Sequence, residues 1–137
     1  MDRRLFLTTL SATALLPLAG RAAPLDYMPG MINERLDAGE TVFLDYKASW
    51  CGTCMAQERV LNRLKEANPA YEANITFINI DWDTYKRTEV VSSMNVPRRS
   101  TLIALAPDRS EIGRIVAQTG EAEIKALMDA ALSVATA

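Results

Sequence analysis

The sequence predicts an α/β domain with a central mixed β-sheet and helices on both faces. Two observations carry this. Short apolar, β-rich runs alternate with stretches of helical periodicity, the pattern of strands covered by helices. The last two runs are separated only by the turn Pro107-Asp108-Arg109-Ser110, which makes them an antiparallel hairpin.

In chain order, residues 24–30 read as an irregular lead-in. Residues 31–38 carry Ile32, Arg35 and Leu36 at helical spacing, and Gly39 is placed to stop the helix. Residues 41–46 (Thr-Val-Phe-Leu-Asp-Tyr) have the composition of a buried strand. A helix follows Cys54 through Ala67, with Val60, Leu61 and Leu64 on its apolar side and Pro69 beyond its end. Residues 75–80 form a second strand, 85–94 a helix before Pro97, 101–105 a third strand and 112–116 a fourth. Residues 121–134 close the chain as a helix with Ile124, Leu127, Met128 and Ala131 on one face. Strands joined through helices are expected to pair in parallel.

Composition narrows the chemistry. At 137 residues, with 49% hydrophobic and 23% charged residues, the chain has the length and balance of one globular domain. A net charge of −2 gives no electrostatic reason to expect nucleic acid or an anionic membrane as partner. Histidine is absent, which removes His-based acid–base chemistry and most zinc-site patterns. Cys51 and Cys54 are the only cysteines and lie too close together to staple distant parts of a fold.

Residues 1–22 read as an export signal. Arg3-Arg4 precede Leu5-Phe6-Leu7 and an apolar run to Leu18, and Gly20-Arg21-Ala22 offers small residues for cleavage after Ala22. Residues 23–137 then form the exported domain, in the periplasm. The Arg-Arg-Leu-Phe-Leu run resembles a twin-arginine signal. Thr8, Thr9, Ser11, Thr13 and Pro17 argue against a permanent membrane span.

The chemistry centres on Trp50-Cys51-Gly52-Thr53-Cys54. Two intervening residues at a strand-to-helix junction let the second sulfur fold back beneath the first. The first cysteine then sits at a helix N-terminus, where free N–H groups and the positive dipole end favour thiolate, the attacking species in disulfide exchange. Cys51 is therefore expected to attack and Cys54 to resolve, with Gly52 permitting the tight turn and leaving the sulfur approachable. Half of a zinc site would look the same, but no second cysteine pair and no histidine exist to complete one. An inert buried pair is the remaining reading, against which stand Trp50 and the strand–helix setting.

Val42-Phe-Leu-Asp-Tyr-Lys-Ala-Ser-Trp-Cys-Gly-Thr-Cys54 resembles the thioredoxin signature, in which an apolar strand carrying a buried Asp runs into Trp-Cys-Gly-Pro-Cys. The likeness extends through Phe77-Ile-Asn-Ile-Asp81 and Thr101-Leu-Ile to the final helix. The chain is also similar to the thioredoxin-like C-terminal domain of the bacterial transmembrane thiol–disulfide interchange reductase. The resemblance implies a thioredoxin fold and no cofactor beyond the redox-active disulfide Cys51–Cys54. It implies that Asp45 is a buried carboxylate helping to deprotonate the resolving cysteine. The residues agree, since a carboxylate among Val42, Phe43 and Leu44 is costly unless used or paired. The family's lysine companion falls on Phe77 here, leaving Lys47 or water to support Asp45.

Thioredoxins also place a cis-proline immediately before the Thr-Leu strand, facing the dithiol. Either Ser100 replaces it or a longer loop brings Pro97 to that place, and the strand's start directly after residue 100 favours Ser100. Serine restores a backbone N–H and adds a hydroxyl. Arg98 and Arg99 share this loop, as solvated surface charge or as a means of steering an acidic client. Trp82 and Tyr85 read as packing.

These observations lead to a periplasmic thiol–disulfide oxidoreductase acting on protein thiols and disulfides. Trp50, Gly52, Thr53, Arg99 and Ser100 form its client surface, it works as a monomer, and a membrane electron donor or acceptor serves it. Gly-Thr between the cysteines, without histidine, leans towards a reductase or electron relay. One alternative is a Cu(I)-binding or metalloprotein-assembly module using the same two thiolates, which the loss of the shielding family proline keeps open and which the presence of only one nearby soft ligand, Met55, counts against. Another is a redox-inert binding domain.

Overall fold

Strand β2 (Thr41–Lys47) is buried along almost its whole length, because it lies mid-sheet with helices on both sides. The computed structural model describes residues 23–137; the expected export signal lies outside the described residues. The remaining elements are β1 (Leu25–Asp26), α1 (Met31–Asp37), α2 (Gly52–Ala67), α3 (Ala70–Asn74), β3 (Ile75–Asp81), α4 (Trp82–Tyr85), α5 (Glu89–Ser92), β4 (Thr101–Leu105), β5 (Glu111–Val116) and α6 (Glu121–Ala135). The sheet order is β1-β3-β2-β4-β5.

Alternation along β2 divides the core in two. Phe43 faces α2, α3 and α6, where it joins Val60, Leu61, Leu64, Ile124 and Met128. Val42, Leu44 and Tyr46 face α1 and α5, with Ile32, Leu36, Val90 and Val91. The α/β class with a mixed sheet and helices on both faces is thus the observed one. Among the described residues no helix is long and apolar enough to cross a membrane.

Four expectations need correction. The helix expected over residues 85–94 is two single turns, α4 and α5. Thr88 between them is extended, at φ −112° and ψ 171°, and its hydroxyl donates to the Tyr85 carbonyl at 2.7 Å, a side-chain bond that competes with helix continuation. The lead-in contains β1, which pairs parallel to β3, and α3 follows Pro69 where no helix was expected.

The fourth correction positions the site. β4 follows a helical connection yet pairs antiparallel to β2, with Tyr46 opposite Thr101. The connection over residues 82–100 folds as two short helical turns and loop and does not run back along the sheet. The chain therefore re-enters the sheet at the end where β3 left it. That end is also where β2 runs into Cys51, so the start of β4 meets the cysteine pair.

Candidate active site

The turn after β2 brings Cys51 to the N-cap of α2, at φ −88° and ψ 109°. Its Sγ accepts the backbone N–H of Cys54 at 3.1 Å, taking one of the donors that a helix start leaves free. The first turn of α2 holds no acidic residue, so the positive end of the helix is not neutralised locally. Cys51 and Cys54 are joined as a disulfide with their Cα atoms 5.2 Å apart, and each is almost fully buried. Ala48 and the half-buried Trp82 pack against the pair, so Trp82 belongs to the site rather than to general packing.

Gly52 does not play the part assigned to it in the turn. Its φ lies outside the left-handed region, and an added Cβ would meet nothing within 4 Å. What the missing side chain leaves is bare, exposed surface above the disulfide. Thr53 is half-buried beside it.

Trp50 is 57% exposed and held on two sides. Its Nε1–H donates to Asp83 Oδ2 at 2.8 Å, and the Arg99 guanidinium lies over its ring at 4.4 Å from the centroid. Arg99 is therefore stacked on the aromatic flank of the dithiol rather than free in solvent. Asp83 is a site residue that the sequence pattern did not single out.

Ser100 is the residue that faces the pair. Its Oγ lies 3.2 Å from Cys51 Sγ and 3.1 Å from Cys54 Sγ. Pro97 is exposed, and the described peptide bonds are all trans. Ser100 is fully buried with φ 63°, a left-handed conformation uncommon outside glycine. Three backbone bonds hold it there. The restored N–H donates to the Tyr46 carbonyl at 2.7 Å, so it is occupied within the sheet. The Ser100 carbonyl accepts from Ala117 N at 2.8 Å and from Gln57 Nε2 at 3.0 Å. Gln57, fully buried on the inner face of α2, also donates to the Gln118 carbonyl at 3.0 Å. A polar residue on an apolar helical stripe, one turn after Cys54, was the signal that could have found it.

Asp45 follows Phe43 on the α2 side of the strand and is 5% exposed, with Oδ1 lacking any hydrogen-bond partner. Burial pushes its carboxyl up to about 7; Lys47 and Lys65 draw it down and Glu58 pushes it further up. Lys47 itself pairs with Glu58 at 3.0 Å. Lys65 is the second cation: buried near the end of α2, it places its ammonium 3.9 Å above the centre of the Phe77 ring. The lysine missing from position 77 is thus replaced by one reaching in from a helix, with the Phe77 face as its support. Desolvation lowers the Lys65 ammonium, while Glu72, Asp45 and Glu58 hold it up. A cavity of about 410 Å³ opens beside Cys54, with Lys47, Ala48, Met55, Glu58 and Asp81 among its walls. Among the described residues no group of three or more His, Cys, Asp or Glu side chains is arranged to hold a metal ion.

A cysteine pair at disulfide distance, on the N-cap and first turn of a helix that leaves a mixed sheet, defines a thiol–disulfide oxidoreductase. The family model described as Thioredoxin matches residues 31–130, and the chain belongs to the thioredoxin family. The solved structures agree. The thioredoxin-like protein Trxlp of Edwardsiella tarda is 28% identical, with a TM-score of 0.64 over 78% of this chain and 96% of that one. A point-mutant thioredoxin of Halobacterium salinarum is 25% identical, with a TM-score of 0.60 over 82% and 90%. The Malassezia sympodialis thioredoxin, 16% identical with a TM-score of 0.65 over 81% and 96%, shares the fold. A 74-residue stretch, 54% of this chain, is 31% identical to the peptide-N(4)-(N-acetyl-beta-glucosaminyl)asparagine amidase of Caenorhabditis elegans, of which the chain spans 11%.

Proposed function

We propose that the protein is a periplasmic reductase or electron relay that transfers electrons from its Cys51–Cys54 dithiol to protein disulfides. The observation that carries this reading is the Cys51 sulfur at the α2 N-cap, receiving the Cys54 N–H with no acidic side chain in that turn. Such a setting stabilises thiolate and so creates a nucleophile.

The Cys51 thiolate attacks one sulfur of a client disulfide; that bond breaks and the departing client sulfur takes up a proton. Cys54 loses its proton to Asp45 and attacks Cys51 Sγ. The mixed disulfide breaks, the second client sulfur leaves as thiolate, and the Cys51–Cys54 disulfide forms. Two electrons have then passed to the client. Asp45, whose carboxyl burial pushes up to about 7, suits the role of base. Clients rest on the exposed face of Trp50, the bare surface at Gly52 and Thr53, and the stacked Arg99, with Ser100 behind the sulfurs. The protein acts as a monomer, is recharged by a membrane electron donor and needs no cofactor.

Equilibration with a glutathione buffer tests the direction. A reductase is expected to sit below about −200 mV, towards the thioredoxin end of the family range, and a value near −120 mV would make the protein an oxidant instead. Export is tested separately. Replacing Arg3 and Arg4 by lysine is expected to leave the protein in the cytoplasm with residues 1–22 uncut; normal export of that variant removes the twin-arginine assignment.

A further inference from the structure

The Ser100 hydroxyl is a buried polar group whose only hydrogen-bond neighbours among the described residues are the two sulfurs, at 3.2 and 3.1 Å. It carries one hydrogen. A disulfide sulfur is a weak acceptor, so in the oxidised protein this donor is poorly satisfied, which is costly for a buried group. Reduction changes its surroundings completely. Cys51 becomes a thiolate, a charged acceptor, and Cys54 becomes a thiol with a proton to donate. The hydroxyl already stands within reach of both, and its backbone is pinned by Tyr46, Gln57 and Ala117.

We propose that Ser100 is a catalytic residue of the exchange reaction: in the reduced protein its O–H donates to the Cys51 thiolate while its oxygen accepts the Cys54 S–H. This rests on the reading of Cys51 and Cys54 as the redox pair with Cys51 as nucleophile. No atom or electron is transferred by Ser100. The hydroxyl stabilises the reduced state more than the oxidised one, and so raises both the acidity of Cys51 and the reduction potential of the pair.

Two variants isolate the hydroxyl from the backbone. Ser100→Ala removes it and keeps the strained left-handed φ; Ser100→Gly removes it and relieves the strain, since glycine adopts this conformation freely. In both, the pH midpoint for alkylation of Cys51 in the full-length reduced protein is expected to move up by about one unit, a tenfold loss of acidity for a lost charge-assisted bond. The equilibrium with glutathione is expected to shift about tenfold towards the disulfide form, equivalent to about 30 mV for a two-electron couple. A purely structural role would leave the midpoint unmoved in both variants, whatever their difference in stability. An unchanged Cys51 midpoint in the folded Gly variant overturns the proposal while leaving the redox pair standing. If Cys54 is the more acidic thiol of the unaltered protein, the assignment of roles falls first, and this proposal with it.

Discussion

The Cys54→Ser protein is expected to stop at the mixed disulfide. Cys51 keeps its N-cap position and the Cys54 backbone N–H, which a serine backbone supplies equally well, so attack on a client disulfide proceeds. The second displacement has no nucleophile, and multiple turnover falls to the background rate of thiol–disulfide exchange. Covalent adducts should appear on non-reducing gels and dissolve with dithiothreitol. The Cys51→Ser protein should form none, because the remaining sulfur lies inside the first turn of α2, without the N-cap position and the backbone N–H that favour a thiolate at Cys51. Adducts on Cys54 in that variant would reverse the two roles.

Asp45→Asn is expected to stabilise the fold and slow the reaction at once. The carboxyl sits at about 7 in the folded chain against an ordinary value of 3.8, so the folded state holds its proton over a pH range in which the unfolded state has lost it. Stability from this group is complete below about pH 4, declines as pH rises, and is gone once pH passes about 7. Above that, the folded protein bears the whole penalty of a buried charge. Urea unfolding at pH 8 should therefore show the Asn variant more stable by up to about 4 kcal/mol, and the gain should vanish by pH 4. The resolving step should slow by roughly thirtyfold or more at pH 7, since an unassisted thiol is only a few per cent ionised there. A stability difference independent of pH would mean that the carboxylate is not what burial penalises.

The parts legible in the sequence are those fixed by local pattern. The apolar runs at residues 41–46, 75–80 and 101–105 became β2, β3 and β4, and the 3.6-residue stripe of Ile124, Leu127, Met128 and Ala131 became the buried face of α6. The cysteine spacing predicted a disulfide-forming pair at a helix start, as found. What stayed hidden depends on contacts distant in sequence. β1 has two residues, too few for any periodicity, and exists because the edge of β3 offers it partners. The direction of β4 follows from where its connection re-enters the sheet, not from its own residues. Gln57 and Lys65 are both buried, one holding the Ser100 carbonyl and the other over the Phe77 ring, and only Gln57, on the apolar stripe of α2, carried a local sign of it. The left-handed backbone at Ser100 has no local sequence mark at all.

That backbone has an evolutionary corollary. Serine codons of the TCN type become proline codons through a single base change, so a lineage that carries one at position 100 meets the proline allele repeatedly. Proline's ring fixes φ at about −65° and supplies no N–H. Position 100 has φ 63° and commits its N–H to the Tyr46 carbonyl. The allele arrives in a chain whose loop is wound the wrong way for it and whose strand edge loses a bond. Serine and proline at this wall of the dithiol are therefore genetic neighbours but conformational strangers, and passage between them requires the loop from Val96 to Ser100 to be rewritten together with the residue itself.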